Sequence, residues 1–522
     1  MPPRPGAAAV LLLLLVPLAA CGGGGPSATT TPSPSPTRAA AFSEGGRVTL
    51  YGADSGDSAG ALISGDFNGD GTPDLLLAAA FADGPDNARP DGGEAYVFLG
   101  PFTPGAALDA AAAQYNAIIY GAAAGDQLGR AAATGDFNGD GIADIALAAP
   151  NGDAEGARVD SGIVYVLFGS RGLGRDSTRI DLAGGGADVT VLGATPADLT
   201  GFTLATADLD GDGRTDLLAG AFLSDGPGGA RPDGGAVYAL YGAHMRRHMD
   251  FGAGDQDVTV YGAGAGDRLG EEIAAGDVNG DGRPDLVAVA TFAAGPGGGR
   301  KAAGEVHVLL SPLGESVDLA LDPSFLTVLG TDPGDQLGHS LAVGDTNGDG
   351  FADLWMGSVS ADGPRNGADL EGEARLVLGA DNLPPLIDTL TDGSAALVYG
   401  PEAKARLGRS GAGGDVNGDG LADLLVSAPD VQERRGSVYV LPGRRDTARY
   451  PQSAAEADYA LTGLDPGDIL GHESLGMPPL GSADLNGDGS AEILASAPGG
   501  DGPQNDRTDA GEAYAVFLEA RS

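Results

Sequence analysis

The chain consists of short apolar runs that alternate with polar, glycine-rich segments from about residue 46 onward. Four kinds of run follow one another: a run of small residues (129–135), a continuous apolar run (75–78), an alternating run (95–98) and a run that ends in glycine (189–193). Short runs of this kind, bounded by turn-forming residues, are typical of β-strands. The pattern therefore predicts an all-β chain with four successive strands in each unit.

The four strands recur seven times with a period of 68 to 72 residues. Repetition of one four-stranded unit is the plan of a β-propeller, in which blades surround a central channel. The chain begins with a strand of the fourth kind (48–51) and ends on one of the third kind (513–516). We therefore expect a seven-bladed β-propeller with four antiparallel strands per blade, in which the N-terminal strand completes the last blade and closes the ring.

A nine-residue motif, Asp-x-Asn/Asp-Gly-Asp-Gly-x-x-Asp/Glu, joins the first strand to the second in every unit. Oxygen side chains at positions 1, 3, 5 and 9, a carbonyl at position 7 and a glycine at position 6 that permits a sharp bend together favour Ca²⁺. An EF-hand would need a glutamate at position 12, where all seven copies have an apolar residue, such as Leu77 or Met356. The motif therefore predicts up to seven Ca²⁺ ions, one per blade, in loops between strands.

The expected calcium ligands are the side chains at positions 1, 3, 5 and 9 and the carbonyl at position 7 of each copy. Because the seven ligand sets are nearly identical, we expect the metal to be structural. The sites most different from the rest are the third loop, which has Asp210 as a fourth carboxylate, and the seventh loop, which has the longer Glu492 at position 9. The full set is Asp66, Asn68, Asp70, Thr72, Asp74, Asp136, Asn138, Asp140, Ile142, Asp144, Asp208, Asp210, Asp212, Arg214, Asp216, Asp277, Asn279, Asp281, Arg283, Asp285, Asp345, Asn347, Asp349, Phe351, Asp353, Asp415, Asn417, Asp419, Leu421, Asp423, Asp484, Asn486, Asp488, Ser490 and Glu492.

Over about residues 46–522 the units resemble the FG-GAP repeats of the integrin alpha-subunit propeller and its bacterial relatives. The motif is followed by an apolar strand that ends in Ala-Pro at residues 149–150, 428–429 and 497–498, where the family has Gly-Ala-Pro, and Leu-Gly mostly replaces Phe-Gly. The resemblance implies a propeller that carries calcium and binds ligands. Integrin propellers carry calcium in only some blades, whereas all seven copies here are complete, which favours a structural role for the metal.

The N-terminal segment is typical of a bacterial lipoprotein. Residues 1–20 read as a signal peptide with a basic start and an apolar stretch, and residues 18–21 (LAAC) resemble a lipobox with Cys21 as the lipidated residue. Residues 21–45 then form a flexible tether rich in Gly, Pro, Ser and Thr, and residues 46–522 form the propeller. We expect a cell-envelope protein that is attached to a membrane only through its lipid and faces the periplasm or the exterior.

Charge narrows the range of partners. The net charge of −44 would repel nucleic acid, which is therefore an unexpected partner.

The connection between the second and third strands carries arginine in every unit, on the face opposite the metal loops. An aspartate often follows two residues later, which suggests pairing within the loop, and the alternative is a ligand face that binds carboxylates or sulfates. These arginines are Arg89, Arg158, Arg231, Arg300, Arg365, Arg434 and Arg507.

Other candidate chemistry has simpler explanations. Residues 56–60 match the G-x-S-x-G pattern, but related segments at 125–129 and 334–338 indicate a repeat element rather than a serine nucleophile. His244 and His248 would share a metal only on a helix, and His307 stands where most units have tyrosine, which favours packing.

We therefore predict no catalytic residues, and a function in binding or adhesion for a monomer that recognises a protein or a glycan. This step rests on the resemblance, because a fold does not define a function. The alternatives are a calcium-dependent polysaccharide lyase or hydrolase, using the loop face or the central channel, and an assembly scaffold for other envelope proteins.

Overall fold

The computed structural model describes residues 46–175, 178–364, 369–391, 393–472 and 479–518. These residues form seven sheets of four or five strands within one compact unit. In every sheet four strands pair antiparallel, which confirms the predicted seven-bladed propeller. The signal segment, Cys21, the tether and Arg365 lie outside the described residues.

The first strand of each blade is rich in small residues and contacts the first strands of both neighbouring blades, so these strands surround the axis. The first strands are Ala61–Gly65, Ala131–Gly135, Leu204–Ala207, Leu269–Gly276, Leu337–Gly344, Gly411–Gly414 and Leu480–Ala483. The second strands follow the metal motif and are buried throughout, as expected for the middle of a sheet packed on both faces. They are Asp74–Ala79, Asp144–Ala149, Asp216–Ala221, Asp285–Ala290, Asp353–Ser358, Asp423–Ala428 and Glu492–Ala497.

The third and fourth strands continue each blade outward from the axis. The third strands are Glu94–Phe98, Ile163–Leu167, Ala236–Leu240, Glu305–Leu309, Glu373–Val377, Ser437–Leu441 and Glu512–Val516. The fourth strands are Ala117–Tyr120, Val189–Leu192, Val258–Tyr261, Leu326–Leu329, Ala396–Tyr399, Tyr459–Thr462 and, for the seventh blade, Arg47–Tyr51.

Five blades carry a fifth strand that the sequence pattern does not predict. Each is short, runs parallel to the fourth strand and comes from the next repeat around the ring, so it links two blades. These strands are Ala107–Asp109, Thr178–Asp181, His248–Asp250, Ser316–Asp318 and Leu386–Asp388.

The ring closes as predicted. Arg47–Tyr51 pairs antiparallel with Glu512–Val516, with Arg47 opposite Val516 and Tyr51 opposite Glu512. Ala107–Asp109 of the first repeat then pairs parallel with the other edge of Arg47–Tyr51. The N-terminal strand is therefore held between the last repeat and the first, and no edge of the seventh blade is left open at this point.

Seven hydrophobic clusters fill the spaces between blades, and six of them include the second residue of a metal motif. Phe67, Phe137, Leu209, Val278, Val416 and Leu485 are each almost fully buried there. In the fifth blade Thr346 takes this position and donates a hydrogen bond from its hydroxyl to Asp353 at 2.5 Å. The loop that carries the metal motif therefore also carries an apolar side chain that packs between two blades.

The remaining regular elements are short 3₁₀ turns. They are Pro85–Asn87, Leu182–Gly184, Pro227–Gly229, Gly242–His244, Phe251–Ala253, Pro296–Gly298, Thr447–Arg449 and Ala454–Glu456. Within the described ranges, none of the helical segments has the length and apolarity needed to span a membrane.

Candidate metal loops, arginine clamps and channel mouth

The seven metal loops share one backbone geometry. The carboxylate at position 1 accepts a hydrogen bond from the amide of the position 6 glycine at 2.7 to 3.0 Å in every loop. The carboxylate at position 5 accepts one from the amide of position 7 at 2.8 to 3.1 Å. In the first loop Gly69 and Gly71 have φ of 68° and 86°, values that L side chains rarely adopt. The glycines therefore allow the chain to curl around its own carboxylates.

The acid at position 9 connects the loop to the rest of its blade. Asp74 is fully buried, and its two carboxylate oxygens accept hydrogen bonds from the amides of Phe67 at 3.0 Å and Gly100 at 2.9 Å. Burial raises the pKa of Asp74 to about 6. The same two bonds form in five further blades, while Glu492 in the seventh accepts from Leu485 at 2.6 Å and from the Asn486 side chain at 2.9 Å. Each oxygen of Asp74 retains a second lone pair with which it can bind a cation, whereas one oxygen each of Asp144, Asp353 and Asp423 already accepts two hydrogen bonds.

The third loop has the ligand arrangement best suited to a metal ion. One carboxylate oxygen from each of Asp208, Asp210 and Asp216 lies within 4.8 Å of the other two. Among the residues that the structure describes, this is the only group of three acidic, histidine or cysteine side chains that converges in this way. The fifth-position Asp212 is outside the cluster and accepts the amide of Arg214 at 2.8 Å. Three hard oxygen donors at this spacing fit Ca²⁺. The other six loops follow the same backbone path and have Asn at position 3, where the third loop has Asp210.

Five of the arginines opposite the metal loops form what we call arginine clamps. Arg231 is representative: its guanidinium donates to both carboxylate oxygens of Asp318 at 2.6 and 2.8 Å and to the carbonyl of Gly262 at 2.6 Å. Asp318 ends a fifth strand from the next repeat, so the clamp joins two repeats. The equivalent pairs are Arg89 with Asp181, Arg158 with Asp250, Arg300 with Asp388 and Arg507 with Asp109.

The clamps give the arginines a role different from the one expected. They do pair with aspartates, but the partner is at the end of a fifth strand and not two residues away in the same loop. A ligand of these five arginines would have to displace an internal carboxylate. Among the described residues no fifth strand lies beside Arg434, whose side chain is 63 % exposed and lies 3.6 Å from Asp430. Five of the seven arginines therefore join repeats through internal ion pairs.

Replacement of one clamp arginine is expected to destabilise the propeller moderately. Arg231→Gln removes a charged, partly buried bidentate contact, and we expect a loss of about 1 to 2 kcal/mol in the free energy of unfolding. The measurement is chemical denaturation in saturating calcium. Arg434→Gln is the matched control and should change stability by less than about 0.5 kcal/mol, since exposed pairs contribute little. Equal effects from the two variants would show that the clamp does not stabilise the ring.

The two weaker candidate sites have structural roles. Ser58 lies in the connection to the strand Ala61–Gly65, and no helix follows it, so the context of a nucleophile elbow is missing from this described segment. His244 ends a 3₁₀ turn and contacts Asp257 at 2.6 Å through Nδ1, while His248 begins a strand. The two histidines therefore do not share one face of a helix.

The blades carry different side chains where the first strands begin, on the face opposite the metal loops. A small concavity of about 60 Å³ lies on the axis there, lined by residues from six blades. Glu272, His339 and Arg409 line it together with the hydroxyl-bearing Ser340 and Ser410. We call this concavity the channel mouth. The sequence contains a signal for it, because these residues lie one or two places after the recurrent Leu-Gly pair, but their convergence depends on the ring.

Comparison with known proteins agrees with this architecture. The family model described as FG-GAP repeat matches residues 58–98, 128–167, 200–240, 269–309, 407–441 and 480–516. The chain therefore carries FG-GAP repeats. The six matched FG-GAP segments correspond to blades one to four, six and seven. The fifth blade, which has Thr346 in its loop, has the same strands and loop geometry.

The relatives of this FG-GAP propeller include integrin alpha chains and phospholipase D chains. It is 31 % identical over 245 residues to integrin alpha pat-2 of Caenorhabditis briggsae, which covers 44 % of this chain and 18 % of the relative. It is 28 % identical over 384 residues to phosphatidylinositol-glycan-specific phospholipase D of Bos taurus, which covers 71 % of this chain and 43 % of the relative. The propeller thus spans less than half the length of these relatives. An exotype rhamnogalacturonan lyase, YesX, superposes with a TM-score of 0.41 and 15 % identity over 90 % of this chain and 75 % of its own.

Proposed function

We propose that this FG-GAP propeller is a calcium-stabilised binding or adhesion protein of the bacterial cell envelope, and that its ligand is a protein or a glycan. The observation that carries the proposal is the loss of sevenfold symmetry at the channel mouth. Loops and clamps repeat from blade to blade and maintain the ring, whereas the residues one and two places after the recurrent glycine vary around it, with Glu272, His339 and Arg409 in three successive blades. A surface where repeats diverge is where a specific ligand can be recognised. The similarity to integrin alpha chains supports a binding role.

The chemistry of the channel mouth favours a ligand with an acidic group and hydroxyls. Arg409 can hold a carboxylate or sulfate by paired hydrogen bonds, and Glu272 can accept hydrogen bonds from hydroxyls. The small volume, about 60 Å³, admits one projecting group and not a whole sugar chain. An acidic side chain of a protein, or a uronic acid or sulfated sugar on a longer glycan, satisfies these conditions.

Calcium would be held by the ligand residues at positions 1, 3, 5, 7 and 9 of the loops, with the third loop the best arranged. When bound, the ion would neutralise the carboxylates that each loop concentrates. The side chains themselves hold the ends of each loop in place. The carboxylate at position 9, such as Asp74, accepts a hydrogen bond from the residue that follows the third strand region, Gly100, and the side chain at position 2, such as Phe67, packs between blades. The metal is therefore proposed to maintain the ring on which the channel mouth depends.

Display at the envelope is proposed from the sequence. Lipidation of Cys21 would attach the chain to a membrane, and the tether at residues 21–45 would separate the propeller from it. No other membrane contact and no nucleic acid is proposed, and the strand pairing that closes the ring is consistent with a monomer.

Ligand capture with a variant of the channel mouth tests this function. A soluble chain of residues 46–522 is immobilised with calcium and exposed to an array of acidic glycans and to envelope and matrix proteins. We expect a ligand that the unmodified chain retains, that Arg409→Ala loses and that Arg434→Ala, altered at an exposed arginine, still retains. Retention by both variants would place recognition elsewhere, and absence of any ligand would argue against a binding function. Selective retention of other envelope proteins by both variants would favour the scaffold alternative.

An enzyme acting on an acidic polysaccharide is the second candidate, because Glu272, His339 and Arg409 supply a general base or acid and an anion-binding group at one concavity. The same acidic glycans are incubated with the chain and analysed for shortened products. Turnover that Glu272→Gln and His339→Gln abolish would favour the enzyme, whereas binding without any product would favour the receptor.

A further inference from the structure

The fourth blade departs from the first at two facing positions of its outer half. The third residue of the third strand is tyrosine in five blades, but it is His307 in the fourth. In the first blade this tyrosine, Tyr96, packs on Tyr115 with ring centroids 5.3 Å apart. Tyr115 lies two residues before the fourth strand, and the residue at that place in the fourth blade is Ser324. Two aromatic rings are thus replaced by an imidazole and a hydroxyl.

A cavity of about 450 Å³ occupies this part of the fourth blade. Its polar lining consists of Asp267, Glu305, His307, Ser324 and Thr327. Its apolar lining includes Leu319, Leu329, Leu386, Pro296 and Pro323. A cavity of this size that combines apolar walls with a few polar groups is typical of a site for a small organic molecule.

The polar groups of the cavity are held in fixed positions. His307 is 5 % exposed, and its Nδ1 lies 3.3 Å from the Ser324 hydroxyl and 3.4 Å from the Thr327 hydroxyl. Its Nε2 lies 3.4 Å from the Glu305 carboxylate. The Ser324 hydroxyl donates to the carbonyl of Leu326 at 3.0 Å. Because that proton is directed to the backbone, Ser324 is poorly placed to act as a nucleophile and better placed to accept a hydrogen bond.

The cavity is electrostatically negative. Asp267 and Glu305 both line it, and burial followed by the neighbouring Glu305 raises the pKa of Asp267. The nearby cation, Arg300, is already paired with Asp388 through two hydrogen bonds of 2.7 and 2.5 Å. A bound cation would therefore be attracted, and a bound anion repelled.

We propose that this cavity binds a small organic amine. The ammonium group would lie between the carboxylates of Asp267 and Glu305, the hydroxyls of Ser324 and Thr327 would accept further hydrogen bonds, and the leucine and proline wall would cover the carbon body. A metal ion fits less well, because the acids and His307 do not converge as Asp208, Asp210 and Asp216 do, and because 450 Å³ far exceeds the space that an ion needs. This site is separate from the channel mouth, and the proposal does not depend on the function proposed there.

The test is isothermal titration calorimetry of the full-length protein, in calcium and physiological salt, with glucosamine, agmatine and tyramine as separate probes. N-acetylglucosamine is the neutral control. We expect at least one amine to bind at one site per chain, and we expect no binding of the control. If none of the three amines binds, or if N-acetylglucosamine binds equally well, the proposal is overturned.

Two variants separate specific binding from attraction to a highly acidic protein. His307→Tyr with Ser324→Tyr restores the residues of the first blade and should fill the cavity. This double variant is compatible with the fold. Tyr96 donates a hydrogen bond to Glu94 in the first blade, and Tyr514 donates one to Glu512 in the seventh. A tyrosine at position 307 can donate to Glu305 in the same way. Glu305→Gln keeps the cavity and removes a charge. We expect each variant to melt like the parent protein and to lower the amine affinity at least tenfold; unchanged affinity in both would show that binding is nonspecific.

Discussion

Removal of calcium is expected to lower the thermal unfolding midpoint of this propeller by roughly 10 °C or more, because ions that bind only the folded state each contribute RT ln(1 + [L]/Kd). At a hundredfold excess over Kd, one site contributes about 2.7 kcal/mol. Seven loops carry the motif, and each concentrates at least three carboxylates within nine residues. Without a cation these charges repel one another and oppose the folded loop.

The effect should extend beyond the loops themselves. The second residue of the motif, such as Phe67 or Phe137, is fully buried between two blades. A loop that opens would withdraw this side chain, and burial of a large apolar side chain contributes about 1.5 to 3 kcal/mol. We therefore expect the loss of calcium to weaken the contacts between blades and to lower the cooperativity of unfolding.

The measurement is thermal unfolding in calcium and in EGTA, followed by calorimetry and by tryptophan fluorescence. Trp355, the only tryptophan, is 2 % exposed and stacks edge-on against Tyr450, 5.1 Å away in the neighbouring repeat, so it reports on contact between the fifth and sixth blades. Restoring calcium should restore the midpoint, and magnesium should do so less well because it requires a tighter octahedral geometry. An unchanged melt in EGTA would refute the calcium argument.

Removal of the N-terminal strand is expected to have the second largest effect. A chain that starts at residue 52 lacks Arg47–Tyr51, and with it the strand that pairs with both Glu512–Val516 and Ala107–Asp109. Val48 and Leu50, both fully buried, are also lost. We expect a lower unfolding midpoint together with association into dimers or larger species, because the exposed edge of the last blade can pair with another chain.

A truncation that starts at Gly46 is the matched control, since it keeps the whole strand. Both chains are compared by thermal unfolding and by light scattering after size exclusion, over a range of concentrations. The longer chain should remain monomeric and retain the stability of the parent. If the chain from residue 52 is equally stable and monomeric, closure of the ring does not depend on this strand.

Much of the fold could be read from the sequence because the information is local and repeated. The apolar run 75–78 predicts the buried strand Asp74–Ala79, and the strand of the fourth kind at 48–51 lies within Arg47–Tyr51. A single such run is ambiguous, but seven copies with a constant order leave few architectures. The fifth strands escaped prediction because they have only three or four residues and pair with a strand of the preceding repeat.

The arginines illustrate the limit of sequence reasoning at the candidate site. Arg89 has Asp91 two residues away, yet it pairs with Asp181, which is 92 residues distant in the chain. Arg507 pairs with Asp109 across the closure of the ring. The choice between these aspartates depends on which strand lies beside the loop once two blades have packed, and that information is absent from the local sequence.

The sequence by itself determined the seven repeats, the order of strands, the loops that carry the metal motif and the strand that closes the ring, because each depends on short patterns of side chains and glycines. Only the tertiary structure decided the partners of the arginines, the convergence of Glu272, His339 and Arg409 at the axis, and the cavity beside His307. These features join residues of different repeats or different strands, and their proximity is set by how the blades pack around the axis.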